Sequence, residues 1–280
     1  QDHPGRWYLG VSASGRQMRA VLLRVYVSLM AAAMREYEQS PEAADPFMSL
    51  VGYFNTLRDL GGTRRLVEDD VRSRLRHIEK RRPLNAEGPH PQYRNREVGG
   101  LIELTSRERT ANISAYKDRL ASAWATEDRV DVAVATNMIS VGIDIDRLGL
   151  MVVAGQPKTT AEYIQATSRV GRDKNHPGLV VTCLNAHRPR DRSHYEQFRA
   201  YHHSFYRHVE ATSLTPFSLP ALERGLAATV VALARHSTPA LMPPGGLTQI
   251  MEHPEVRRRV QAVFSERAVR SRRIQSIDDE

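Results

Sequence analysis

From residue 100 to residue 184 the chain keeps one rhythm: short apolar runs alternate with stretches of helical periodicity. The runs are "GLIELT" (100–105), "VDVAVAT" (130–136), "GLMVVAG" (149–155) and "GLVVTCL" (178–184), and between them lie "ANISAYKDRLASAWA" (111–125) and "TAEYIQATSRV" (160–170). Runs that are apolar on successive residues, rather than on alternate ones, suit strands buried on both faces. Strands of that kind separated by helices imply a parallel sheet covered by helices on both sides.

Upstream, "RQMRAVLLRVYVSLMAAAMREYEQ" repeats its apolar positions every three or four residues and predicts a helix over 15–39 that stops before Ser40-Pro41. "PFMSLVGYFN" (46–55) predicts a buried strand and "TRRLVEDDVRSRLRHIEKR" (63–81) a charged helix. Residues 83–99, rich in Pro, Gly and Asn, read as a loop. After Asn185 the strand signal ends: 190–211 and 218–236 carry helical periodicity, Pro239 to Gly246 break it, and 254–275 form an arginine-rich helix. The expected organisation is a helical lead-in (1–45), an α/β domain (46–186) and a helical C-terminal extension (187–280).

The net charge is +8, from 40 Lys and Arg against 32 Asp and Glu, and arginine supplies nearly all of the positive charge. Arginine binds phosphate bidentately and stays charged, which suits a nucleic-acid partner. A solvated arginine-rich surface has the same composition. Cys183 is the single cysteine, so neither an internal disulfide nor a cysteine-rich zinc site is available, and its strand-like surroundings make it a small core residue. No apolar run approaches the ~18–20 residues of a membrane span. The opening "QDHPGRWY" has no secretory-leader pattern, so the cytoplasm is the expected compartment. The absence of an initiator Met reads as a fragment or a processed product.

Three segments carry chemistry, in chain order. "NTLRD" (55–59) follows a strand, where open α/β sheets bind ligands, and offers Asn55, Thr56 and Arg58 as phosphate contacts. "ATNMISVGIDID" (135–146) leaves another strand, and "QATSRVGR" (165–172) places Gln165 and Arg169 four apart and Arg172 three further on. That spacing sends the arginines from one side of a helix end towards a single point. "TSRER" (105–109) follows a strand in the same way as "NTLRD". Thr105, Ser106 and Arg107 are weaker phosphate candidates there, with helix capping as the competing role.

Together "LVGYFNTLRD", "ATNMISVGID" and "QATSRVGR" resemble motifs IV, V and VI of superfamily 2 helicases, over about residues 50–185. The resemblance implies a RecA-like fold, the second of two such lobes, that works with ATP and Mg²⁺ and with nucleic acid, DNA ahead of RNA. It assigns Gln165, Arg169 and Arg172 to the nucleotide, the arginines as fingers across a cleft and Gln165 to a phosphate oxygen or the attacking water. It places Thr136 and Asn137 on the nucleic-acid backbone. Gly142 permits a tight turn, and Asp144 returns towards the cleft, to take a ribose hydroxyl or hold an arginine finger; capping in the connecting loop is the other role open to Thr136 and Asp144.

The sequence contains no G-x(4)-G-K-[ST] loop. "GVSASGRQ" (10–17) is rejected because Arg16 replaces the Lys, no Ser or Thr follows it, and no strand is predicted before it. There is no D-E-x-D/H box either, and the terminal "IDDE" follows no strand. The first lobe, with the Mg²⁺ ligands, is therefore expected outside this chain, which alone should be inactive.

Further on, residues 185–226, with "GLMVVAGQPKTTAEYIQATSRVGR", resemble DISARM-type anti-phage helicases and related large bacterial helicases. That narrower resemblance implies a partner subunit with a DUF1998-type domain and a methyltransferase nearby. Residues 187–208 interleave Arg188, Arg190, Arg192, Arg199 and Arg207 with five aromatics, a pattern that can clamp a single strand. Phe198, Tyr201 and Phe205 are at helical spacing, which equally marks core packing. His202, His203 and His208 lack carboxylate or thiol partners at ligand spacing, so no metal site is expected. Two other readings remain: a non-catalytic nucleic-acid-binding or partner-docking module on the same fold, and the motor lobe of a restriction complex.

Overall fold

The computed structural model describes residues 5–81, 88, 90–105, 107–136, 144–210, 215 and 217–278. Six strands form one parallel sheet in the order β1-β6-β5-β2-β4-β3. They are β1 (Arg6–Ser12), β2 (Leu50–Phe54), β3 (Leu101–Leu104), β4 (Val132–Ala135), β5 (Leu150–Ala154) and β6 (Gly178–Leu184). The expected α/β architecture is present.

The central strands bury alternate residues in two different cores, as a strand's period of two requires. Leu50, Val132, Val134, Leu150, Val152 and Val181 face one side. Val51, Tyr53, Ala133, Met151, Val153 and Val180 face the other. Each such Val, Leu or Met side chain contributes roughly 1.5–3 kcal/mol when fully buried.

Helix α1 (Met18–Gln39) covers the first face with Val21, Leu22, Tyr26, Val27 and Met30. Its Tyr26 comes so close to β2 that a Cβ on Gly52 would lie 2.1 Å from the phenol oxygen. A glycine inside that strand costs conformational entropy and here permits the close approach. Short helix α2 (Pro41–Ala44) leads into β2, and α3 (Leu57–Leu66) follows it, capped by Thr56. A π turn (Val67–Val71) and α4 (Arg72–Leu75) continue α3, so the helical stretch begins earlier than the expected 63–81 and is not one α-helix. Helices α5 (Thr110–Ala121) and α6 (Thr160–Thr167) belong to the second face, which Tyr163 and Ala166 of α6 help to fill.

Strand β1 corrects the reading of the lead-in, which predicted no strand before residue 46. It pairs in parallel with β6 from Arg6↔Gly178 to Ser12↔Leu184 and forms the sheet edge. Trp7 and Leu9 stay 72% and 52% exposed on it, so the burial signal that marks the inner strands is missing. A strand therefore does precede "GVSASGRQ". The rejection of that segment as a phosphate loop now stands on Arg16 and on the lack of a following Ser or Thr.

The chain divides into two compact units at Glu210/Ala211. In the first, α7 (Pro189–Glu196), α8 (Phe198–His203) and a 3-10 turn (Phe205–His208) pack at the β1–β6 edge, where Phe198 fills the space over Gly10. The segment 187–208 thus belongs to the first compact unit, beyond the division expected at 186/187. The second unit holds α9 (Leu219–Arg235), two 3-10 turns (Pro239–Leu241 and Gly246–Glu252) and α10 (Pro254–Asp278), around Ala234, Leu241, Val256 and Val260. No helix among the described residues is long and apolar enough to cross a membrane.

Candidate functional site

The candidate residues separate to opposite ends of the sheet. At the carboxyl ends stand Asn55 and Thr56 after β2, Thr136 after β4 and Thr105 after β3. Since β2 pairs with β4 and β4 with β3, these ends lie side by side. Neighbouring strands are about 4.8 Å apart, so the topology lines up segments distant in sequence.

Most of these side chains are engaged within the fold. The Asn55 amide donates to the carbonyls of Ala154, Gly155 and Gln156 at 3.3–3.4 Å and ties the end of β2 to the end of β5. Thr56 caps α3, accepting from Asp59 N at 3.1 Å and donating to the Asp59 carboxylate at 2.8 Å. Thr105 is fully buried and donates to Glu103 at 2.7 Å. It does not cap α5, whose N-cap is Arg109. Thr136 is buried, while Arg58 and Arg107 are exposed. Arg58 lines a cleft of about 240 Å³ together with Arg19, Asp59, Asn185 and Arg188. Arg19 at this place was not legible in the sequence, because only the fold of α1 brings it there. Ser106, Asn137 and Gly142 lie outside the described residues.

The second group lies at the amino ends of β5 and β6. Helix α6 starts on Thr159, whose hydroxyl accepts from Glu162 N at 3.1 Å, and on Glu210, whose carboxylate accepts from Thr160 N at 2.8 Å. It ends at Thr167, so Arg169 and Arg172 are not helical as predicted, and 168–172 form a turn. Gly171 makes this turn at φ +63°, and its N–H donates to Leu148 O at 2.7 Å. A Cβ on Gly171 would lie 2.6 Å from the backbone of Gly178. Arg6 fixes the turn from the other side, donating to Val170 O at 2.7 Å and Ser168 O at 3.2 Å.

The turn aims both guanidinium groups at Asp144. Arg169 Nη1 lies 2.7 Å from Asp144 Oδ1, and Arg172 Nη1 contacts the same oxygen. Arg172 Nε is 3.7 Å from Asp146. Arg169 and Arg172 are 17% and 31% exposed and Asp144 is 61% exposed, so two half-buried arginines meet one solvent-facing carboxylate. Such a pair presents converging N–H donors to an oxyanion, and a carboxylate oxygen occupies that position here. The three residues are brought together by a glycine turn rather than by helix periodicity. Gln165, two residues from the end of α6, is exposed.

Two further contacts hold α6 against the sheet, and the sequence did not reveal them. Tyr53 of β2 donates to Glu162 at 2.7 Å, and burial first, then that hydrogen bond, hold its phenol well above its ordinary pKa. Tyr163 shares a 2.6 Å hydrogen bond with Thr182 and meets His202 at 3.2 Å. Burial also pushes the Cys183 thiol up to about 12, which keeps it a neutral core group.

In the segment 187–208, Tyr201 and Phe205 are buried and pack on Tyr163, while Tyr195 and Tyr206 are exposed. Arg190 donates to the carbonyls of Gln156, Pro157 and Lys158 and so braces a loop. Among the described residues no three His, Cys, Asp or Glu side chains cluster as a metal site.

Residues 94–174 match the helicase conserved C-terminal domain. The chain is 46% identical over 242 residues to the DISARM protein DrmA of Bacillus paralicheniformis, an alignment that covers 86% of this chain and 21% of that protein. The chain therefore spans about a fifth of the length of the curated relative it matches. Its fold resembles the crystal structure of the DUF1998 helicase MrfA bound to DNA, with a TM-score of 0.52 at 14% identity over 80% of this chain and 26% of that one.

Proposed function

We propose that this chain, which carries the C-terminal RecA-like lobe of a superfamily 2 helicase, completes the ATP site of a longer helicase or translocase. The carrying observation is the convergence of Arg169 and Arg172 on one exposed carboxylate. When bound between the lobes, ATP with Mg²⁺ supplies a γ-phosphoryl group whose negative charge grows during hydrolysis. The two guanidinium groups then stabilise that charge, and Asp144 keeps them aligned while the cleft is open. Gly171 and Arg6 hold the turn rigid, so the arginines need little reorganisation. Gln165, on the exposed face of α6, hydrogen-bonds a phosphate oxygen or orients the attacking water. The phosphate-binding loop, the Mg²⁺ ligands and the general base belong to another lobe, outside these 280 residues.

At the opposite end of the sheet the exposed Arg58, Arg107 and Thr56 meet the phosphate backbone of nucleic acid, DNA ahead of RNA. Thr136 joins that row; the resemblance to motif V adds Asn137, and the "TSRER" segment adds Ser106, to the same proposed contact. Contacts of this type position a strand without reading its sequence. The internal hydrogen bonds of Asn55 and Thr105 support a structural role for their side chains. The similarity to a DISARM protein supports a place in bacterial anti-phage defence; a DUF1998-type partner subunit and a cytoplasmic location are further parts of the proposal.

ATP turnover tests this directly. The full-length protein should hydrolyse ATP faster when DNA is added, and the isolated 280-residue chain should not hydrolyse it at all. Sustained turnover by the isolated chain would overturn the two-lobe reading in favour of a self-contained site. A full-length protein without turnover would favour a non-catalytic binding module.

A further inference from the structure

Helix α9 is apolar nearly all round. Its 17 residues, LPALERGLAATVVALAR, contain three charges, yet Ala234 alone among them is buried. Leu219, Leu226 and Val231 are 69%, 38% and 41% exposed. A helix of that composition belongs against another surface. Its C-terminal half meets α10, and beside that contact the two helices leave a groove of about 600 Å³. Leu226 and Val230 form one wall, Val260 and Phe264 the other, and Ile250 part of the floor. Arg257 and Arg258 stand on the α10 lip, exposed; neither forms a salt bridge among the described residues, and Arg258 feels the Glu255 carboxylate only at longer range.

We propose that this groove docks an amphipathic helix of a partner protein, with its apolar face on Leu226, Val230 and Phe264 and its carboxylates on Arg257 and Arg258. Side chains one helical turn apart on both walls match the i, i+4 rows of an incoming helix. The charge of the lip selects an acidic one. An apolar floor argues against a phosphate backbone as the occupant. A second copy would bring four arginines together across the contact.

Two synthetic helical peptides test the assignment. They share leucines at i, i+3, i+4 and i+7; one carries glutamates on its flanks and the other lysines. Binding to the full-length protein is followed by fluorescence anisotropy. The glutamate peptide should bind, and the lysine peptide should bind at least about tenfold more weakly. The double variant Arg257→Glu, Arg258→Glu should invert that preference. Leu226→Asp, at an exposed position, should abolish binding of both while the melting temperature stays at the wild-type value. Equal binding of the two peptides, or no binding by the full-length protein, would overturn the proposal, the latter placing the cover within the same polypeptide. Displacement of the peptide by single-stranded DNA would assign the lip to nucleic acid instead. Self-association lost in Leu226→Asp would assign the groove to a second copy.

Discussion

Arg96 and Asp131 form a fully buried ion pair in this chain, and so set off the different state of Arg169 and Arg172. Both members of the Arg96–Asp131 pair are fully buried, 2.9 Å apart. Asp131 also accepts from Gly99 N, Gly100 N and the Trp124 indole. Burial works to raise the Asp131 pKa, but Arg96 and these hydrogen bonds outweigh it and hold it below its ordinary 3.8. The folded state therefore binds fewer protons than the unfolded one in acid. The stability from Asp131 is complete above pH 3.8 and is lost as pH falls through the lower folded pKa. Asp131→Ala leaves Arg96 buried without its counter-charge and should cost ~3–5 kcal/mol, read as a lower denaturant midpoint at pH 7. A midpoint unchanged from wild type would mean that Arg96 finds other partners. By contrast, Asp144 is open to water and its two arginines are partly so. Exposed ion pairs contribute only about 0–1 kcal/mol, so this trio is not what holds the fold together.

At the scale of elements, the inner strands were legible because both faces of each are apolar; β4, β5 and β6 appear within two residues of their expected positions, and β2 starts four residues later than expected. Strand β1 was not, because an edge strand with Trp7 and Leu9 outside lacks that signal. The candidate site was legible as a set of residues: Asp144, Arg169 and Arg172 do meet. Its geometry was not, because helical spacing predicted a convergence that a left-handed glycine produces. Gly171→Ala tests that turn. A Cβ there meets Gly178 at 2.6 Å and holds φ at +63° against its preference. Backbone strain of about 1–2 kcal/mol and overpacking of about 1–3 kcal/mol add, so the melting temperature should fall by several degrees and ATP turnover with it. An unchanged melting temperature would show that the turn is loose and does not position the arginines. The internal roles of Asn55 and Thr105 were illegible for another reason, since their partners at 154–156 and 103 become neighbours or acceptors only in the folded sheet.

For the whole molecule, the sheet holds Arg169 and Arg172 at its amino ends and the proposed phosphate contacts at its carboxyl ends. A five-residue strand spans about 17 Å, so the two surfaces can act on different ligands at once. If Arg58 meets a phosphate, DNA affinity should fall steeply with salt, and Arg58→Ala should flatten the log–log slope by about one unit without changing sequence preference. An unchanged slope would remove Arg58 from the interface. The most direct test of the central claim is steady-state ATP hydrolysis by full-length Arg172→Ala and Arg172→Lys, measured with saturating DNA beside a melting curve. An arginine that meets the phosphoryl charge in the transition state should cost about 10³–10⁵ in turnover while DNA binding survives. Lysine should not rescue it, because a point charge lacks the planar fork. A folded Arg172→Ala protein that keeps a tenth of wild-type turnover would contradict the account and leave Arg169 to act alone.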